Sequence, residues 1–155
     1  MTVWRPRPLI RVKAIGLAWH EGRLLAAEVR NDAGRLKGVR PLGGAAEFGE
    51  RWRAALAREF EEELGLAVDV RGDPFVLENI FVHEGAQGHE VVFVADVRLP
   101  PDTIQGQEAI TFAEDDGPSC TARWFDPAEL GRPDGPALYP DGLGARLGSR
   151  RPDRA

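Results

Sequence analysis

The stretch Gly44–Leu66, GAAEFGERWRAALAREFEEELGL, decides how this chain is read. Leu56, Phe60 and Leu64 recur at i, i+4 and i+8, with Trp52 and Ala55 nearby. That spacing predicts a helix from about Glu50 to Leu64 with one apolar face. Glu59, Glu62 and Glu63 stand at i, i+3 and i+4, together on a different face. Glu61, Glu62 and Glu63 crowd the last turn, just before Gly65, a residue suited to a left-handed C-terminal cap. A helix C-terminus carries partial negative charge and favours Lys, Arg or His. Carboxylates there repel one another and the dipole unless a positive charge sits among them. A divalent cation is the simplest source of that charge.

An acidic run of this kind, taken alone, reads as a solvated face. Its register with the preceding residues shifts the reading to a metal site. Gly44, Glu50, Arg58, Glu59, Phe60, Glu62, Glu63, Gly65 and Leu66 fill every defined position of the pattern G-x5-E-x7-R-E-U-x-E-E-x-G-U, where U is apolar. Through this box the chain resembles the Nudix hydrolase family, with Phe60 aromatic where an aliphatic residue is usual. A looser resemblance, through strand order and the ARWF-DPAEL segment, extends over most of the chain.

The resemblance implies an α/β Nudix fold, a mixed β-sheet in an α/β/α sandwich. It also implies a Mg²⁺-dependent pyrophosphohydrolase, with Mn²⁺ as a substitute, that cleaves the diphosphate linkage of a nucleoside diphosphate derivative. Nucleotide sugars, ADP-ribose-like compounds and nucleoside triphosphates all fit, because the box is common to enzymes acting on each. In that reading Glu59, Glu62 and Glu63 are the metal ligands, and the backbone carbonyl of Gly43 or Gly44 adds another. The chemistry suits them: Mg²⁺ favours carboxylate oxygens, and it can polarise phosphoryl oxygens and activate water. Arg58 can reach Glu62 at i+4, or Glu50 across the loop, and orient a carboxylate through a bidentate guanidinium pair. Glu50 then holds the loop against the helix, and Glu47 lies near enough in sequence to approach the metals. The rival from another class is a Nudix-like module that binds or senses a nucleotide without hydrolysing it; the intact glutamates weigh against it.

The rest of the chain sets bounds. At 155 residues, 43% hydrophobic and 29% charged, it is expected to form one globular domain at residues 9–147, with an irregular lead-in at 1–8 and a frayed, basic tail at 148–155. The net charge of −5 gives no reason to expect broad nucleic-acid binding; the partner is a small nucleotide derivative. A homodimer is compatible with the family. Cys120, the single cysteine, cannot form an intrachain disulfide and reads as a small packed residue. No apolar run is long enough to span a membrane, and the N-terminus lacks a signal peptide's apolar core, so the expected location is cytoplasmic.

Leu9–His20, Arg23–Arg30, Gly38–Leu42, Leu66–Val70, Phe75–His83, Glu90–Leu99 and Thr121–Phe125 read as strands or extended segments, with a turn at Gly85-Ala86-Gln87-Gly88. Thr103–Ser119 reads as loop, Pro127–Leu130 as a short helix capped by Asp126, and Tyr139–Leu147 as a final helix. The loop carries Glu114, Asp115 and Asp116 just before the Trp124 strand, where many Nudix enzymes place a general base; a solvated acidic run is the plain alternative. Glu90, beside His89, faces either the site or solvent. His20, His83 and His89 lack metal-ligand spacing. Trp4, Trp19, Trp52 and Trp124 read as packing residues. Arg11, Arg23, Arg30 and Arg40 are available to phosphates, although a strand arginine ordinarily faces solvent.

Overall fold

Helix α1 spans Trp52–Leu64 in the computed structural model, which describes residues 4–114 and 119–148. It starts at Trp52 rather than Glu50 because Arg51 is still extended, with no side-chain cap. Gly65 adopts the left-handed conformation (φ 68°) and donates its N–H to the Glu61 carbonyl at 2.9 Å, the cap expected from sequence. The last turn holds no basic residue, so its carboxylates receive no help from within the helix. Ala55, Leu56 and Phe60 are buried, and Leu64 is half-buried.

The strands are β1 (Ile10–Leu17), β2 (Trp19–His20), β3 (Arg23–Arg30), β4 (Leu36–Arg40), β5 (Leu42–Ala45), β6 (Asp69–His83), β7 (Ala86–Arg98), β8 (Ala109–Ala113), β9 (Ser119–Phe125) and β10 (Ala137–Leu138). A second helix, α2, covers Leu143–Gly148. One sheet has the order β5-β1-β7-β6, with β1 and β7 parallel and the other pairs antiparallel. The other runs β10-β4-β3-β9-β8, with β2 also on β3 and only β4–β10 parallel. Two mixed sheets therefore replace the single mixed sheet read from sequence. The reason lies at two residues where the chain changes sheet. Ala18 separates β1 from β2, and Pro41, which has no N–H to give a ladder, separates β4 from β5.

Helix α1 packs where the two sheets meet. Its Leu56 and Phe60 join Ala14, Ala95 and Val97 from one sheet and Leu25, Ala27, Ile110, Phe112 and Ala122 from the other. Gly16 on β1 lets the helix come this close, since a Cβ there would stand 2.9 Å from Phe60 Cε2. Trp52 stacks flat on Phe93, with centroids 5.7 Å apart. On the opposite face of the first sheet, Leu143 and Leu147 of α2 pack with Ile15, Leu17, Phe75, Val92 and Val94. Helices thus lie on both faces of that sheet, giving the sandwich. Among the described residues, no helix is long and apolar enough to cross a membrane.

Several elements depart from the sequence reading. Thr103–Ser119 is not all loop: β8 alternates buried Ile110 and Phe112 with exposed neighbours, a signal too short to stand out beside its charged flank. The two strands expected at Leu66–Val70 and Phe75–His83 are one strand, because a register shift between Arg71 and Phe75 absorbs Gly72 and Pro74. The final helix begins at Leu143, after Pro140 and Gly142, and the short β10 precedes it. Pro127–Glu129 is a 3-10 turn whose Asp126 side chain accepts from Ala128 N at 3.0 Å, as the cap reading anticipated.

Candidate active site

The box residues gather at the seam between the sheets. β5 delivers Gly43 and Gly44 beside β1, in register with Ile15 and Ala14. Gly44 lies against the Glu59 carboxylate, where a Cβ would stand 2.7 Å from Glu59 Oε2. Only a residue without a side chain leaves the carboxylate in place. Gly44→Ala is expected to push Glu59 aside and lower kcat/KM by about tenfold, the scale of a loss of ligand support, with circular dichroism unchanged; steady-state kinetics would check it.

Arg58 organises the outer side of the cluster. Its Nε and Nη2 donate to Glu50 at 2.8 and 2.9 Å, its Nη1 to Glu59 at 2.9 Å and Glu62 at 3.1 Å, and its Nη2 also to the Ala45 carbonyl at 3.1 Å. Both partners considered from sequence, Glu50 and Glu62, are therefore engaged at once, together with Glu59. Glu50 also accepts from the Glu47 backbone N–H at 3.0 Å, which ties the loop to the helix. The Glu47 side chain itself is exposed. Arg58 Nε–H and Nη2–H, then the Glu47 N–H, hold the Glu50 carboxyl down at about 2. Its pKa is lowered on folding, so the stabilisation is complete above the unfolded value of 4.5 and is lost as pH falls toward 2. Glu50→Gln is expected to flatten the acid limb of stability in that window, by a melting-temperature change of ~3 °C, measured by thermal denaturation.

Glu63 lies on the inner side. Burial, reinforced by the negative charges of Glu114 and Glu59 and opposed by Arg40, pushes its carboxyl up to about 8. Its Oε2 is buried without a hydrogen-bond partner. Two groups approach it from the second sheet. Arg40, at the end of β4, forms an ion pair with Glu114, just past β8. Cys120 sits in the same neighbourhood, half-buried and packed against the core, and burial raises its thiol pKa. The cysteine is thus the packed residue expected.

Of the three loop acids, Glu114 pairs with Arg40 and its charge acts on Glu63; Asp115 and Asp116 lie outside the described residues. Glu90 does not reach the cluster: Lys13 Nζ holds it at 3.1 Å. His83 is buried beside Trp4 and Lys37, and His20 lies against Trp124. Arg40 is one of four strand arginines in the sequence, set apart by its place just before Pro41-Leu42-Gly43-Gly44, where the chain changes sheet. A cavity of about 470 Å³, lined by Pro6, Leu9, Ile10, Gly88 and His89 among others, shares no residue with the box.

Among the described residues, no three acidic, histidine or cysteine side chains are gathered into a metal-binding group. Arg58 holds Glu59 and Glu62, and the Glu63 carboxyl lies against Glu59. The donor set nonetheless suits a hard cation: the groups are carboxylates, and one buried oxygen has no partner.

Fold and box together define an α/β sandwich whose carboxylate-bearing helix follows the Nudix pattern. The family model described as NUDIX domain matches residues 10–142, and the chain belongs to the Nudix family. The fold is similar to that of the E. coli ORF135 protein in solution, at 21% identity and a TM-score of 0.54, covering 93% of this chain and 94% of that one. It is also similar to the MutT NUDIX hydrolase from Burkholderia pseudomallei, at 21% identity and a TM-score of 0.57, covering 89% and 97%. A NUDIX hydrolase from Nitrosomonas europaea follows at 18% identity and a TM-score of 0.50, covering 81% and 75%. Comparison with curated protein sequences gives no match.

Proposed function

We propose that residues 9–147 form one catalytic domain, a Mg²⁺-dependent Nudix hydrolase. It cleaves the phosphoric anhydride bond of a nucleoside diphosphate derivative by water attack at phosphorus. The observation that carries this reading is the unpartnered, buried Glu63 Oε2 beside Glu59, on a helix whose box is complete. An orphaned buried oxygen is costly for a fold to keep unless a ligand satisfies it.

Glu59, Glu62 and Glu63 hold the cation, with the Gly43 or Gly44 carbonyl as a further donor. When bound, the cation supplies charge neutralisation at the phosphoryl oxygens and polarises water. Arg58 orients the Glu59 and Glu62 carboxylates, and Glu50 anchors Arg58 from the opposite side. As a ligand Glu63 would be ionised, since a carboxylate binds metal only without its proton. The close packing of Gly44 on Glu59 fixes the loop that faces the phosphates.

The test is a substrate panel of ADP-ribose, a nucleotide sugar and a nucleoside triphosphate, assayed with and without Mg²⁺ and scored for phosphate-containing products. Metal-dependent hydrolysis of at least one member is the expected result. Tight nucleotide binding with no turnover of any member would mean that the domain is a sensor. No melting-temperature shift with Mg²⁺ or Mn²⁺ would reduce the glutamates to a solvated face.

A further inference from the structure

We propose that the outer edge of β6, from Phe75 to His83, pairs antiparallel with the same edge of a second copy of this chain across a two-fold axis. The two four-stranded sheets then join into one. The proposal goes beyond the hydrolase reading and does not depend on it.

β6 closes one end of the sheet β5-β1-β7-β6, and among the described residues no strand pairs with its outer side. An edge of this kind offers a row of N–H and C=O groups to another chain. The other sheet ends are short: β5 has 4 residues, β8 has 5 and β10 has 2. β6 has 15, and its first half is guarded. There a register shift between Arg71 and Phe75 takes in Gly72 and Pro74, and the Arg53 guanidinium donates to the Val70 and Gly72 carbonyls at 2.8 Å. Phe75–His83 has no such guard: it pairs with β7 without a break, holds no proline, and Glu78 is its one acid.

The hairpin decides which groups face outward. The turn Glu84-Gly85 has positive φ at both residues (50° and 83°), the two-residue type that closes on a hydrogen-bonded pair, here His83 and Ala86. Alternation from that pair turns the N–H and C=O of Val76, Glu78, Ile80 and Val82 away from β7. The same four residues carry the exposed side chains: Val76 at 45%, Ile80 at 52% and Val82 at 65%, with Glu78 exposed among them. A two-fold axis through Asn79 engages all four at once. It sets Val76 opposite Val82 of the second copy, and Glu78 opposite Ile80, so the valines cover one another and the two glutamates stay apart. An axis through Glu78 would set like charges face to face, and one through Ile80 would place Val76 opposite the turn. This self-complementary order of charge and apolar side chains selects a second copy over any other extended chain. Both sites stay open, because β5, which carries Gly43 and Gly44, lies at the other end of the sheet.

The experiment is sedimentation of the full chain at about 10–100 µM, where a dimer of micromolar Kd is well populated. The wild type is expected to be dimeric. Ile80→Glu sets a glutamate against Glu78 at both symmetric positions and is expected to raise Kd at least about tenfold. Ile80→Lys sets a lysine there instead and is expected to keep Kd within about threefold of wild type. These opposite responses separate the register from a general apolar contact, which either charge would disrupt. A Val76→Cys/Val82→Cys variant in a Cys120→Ala background is expected to form a covalent dimer with oxidised glutathione. Opposite residues of a hydrogen-bonded pair have Cα atoms about 5.5 Å apart, within disulfide reach. Neither single cysteine is expected to cross-link, since each lies roughly 20 Å along the strands from its own copy. Circular dichroism checks that each variant folds, and the cysteine pair decides if a charged variant does not. A wild type that stays monomeric over the whole range would overturn the proposal. So would equal loss in both Ile80 variants, or a dimer that Ile80→Glu leaves intact and the cysteine pair does not cross-link.

Discussion

Glu62→Gln is expected to lower kcat/KM on any hydrolysed substrate by about 10²–10³-fold at saturating Mg²⁺, with little effect on stability. The substitution keeps the shape of the side chain and removes one negative charge. Glu62 is the most exposed of the three helix carboxylates, with 44% of its side chain accessible, and among the described residues its ion pair is the i+4 contact from Arg58 at 3.1 Å. Such a pair contributes only about 0.3–0.5 kcal/mol. Arg58 keeps Glu50, Glu59 and the Ala45 carbonyl after the change, so the loop stays anchored. Activity and stability therefore separate at this residue. A solvated acidic face would lose neither, and a structural carboxylate would lose stability first. An unchanged rate in Glu62→Gln, measured beside a wild type that turns over, would remove Glu62 from the site.

Local pattern made the centre of this molecule legible. The 3.6-residue spacing of Leu56, Phe60 and Leu64 located α1, and Gly65 capped it in the left-handed conformation anticipated. The register of Gly44, Glu50 and Arg58 with the glutamates carried over into contacts: Arg58 meets Glu50, Glu59 and Glu62 together, and Gly44 lies on Glu59. All of these residues fall within 23 positions of one another, where helix geometry dictates proximity.

What was illegible depends on sheet order. Nothing near Arg40 signals that β4 and β8 lie in one sheet with β3 and β9 between them, so the Arg40–Glu114 pair has no local trace. The same holds for the division into two sheets, which turns on where Ala18 and Pro41 release the chain. β8 was missed for a different reason. Five residues with two buried side chains cannot be told from a loop until β9 pairs with them.

Glu63→Gln should act in opposite directions on stability and catalysis. Burial pushes the Glu63 carboxyl up to about 8, so between its unfolded value of 4.5 and 8 the folded chain holds a proton that the unfolded chain has released. Stability supplied by a raised acid is present at low pH and falls as pH rises through that window. In metal-free protein at pH 8 to 9 the wild type must either keep this carboxyl protonated or bury a charge. Glutamine removes that burden, and the variant is expected to be more stable there by ~1–2 kcal/mol, allowing for solvent screening of a partly accessible group. At pH 4 the two proteins should melt together. The same substitution removes a carboxylate whose buried oxygen has no hydrogen-bond partner among the described residues, so the Mg²⁺-induced rise in melting temperature should disappear and kcat/KM should fall about 10²–10³-fold. In the wild type, that Mg²⁺ shift should grow from pH 6.5 to 8.5, because ionising Glu63 costs less as pH rises. Stability and function would then oppose each other at one residue, as expected when a fold carries a strained group for its ligand. Thermal denaturation across pH, with and without Mg²⁺, reads both effects in one experiment. A Glu63→Gln variant that keeps the Mg²⁺ shift would show that Glu63 is an inward-turned core carboxyl and that the cation is held elsewhere.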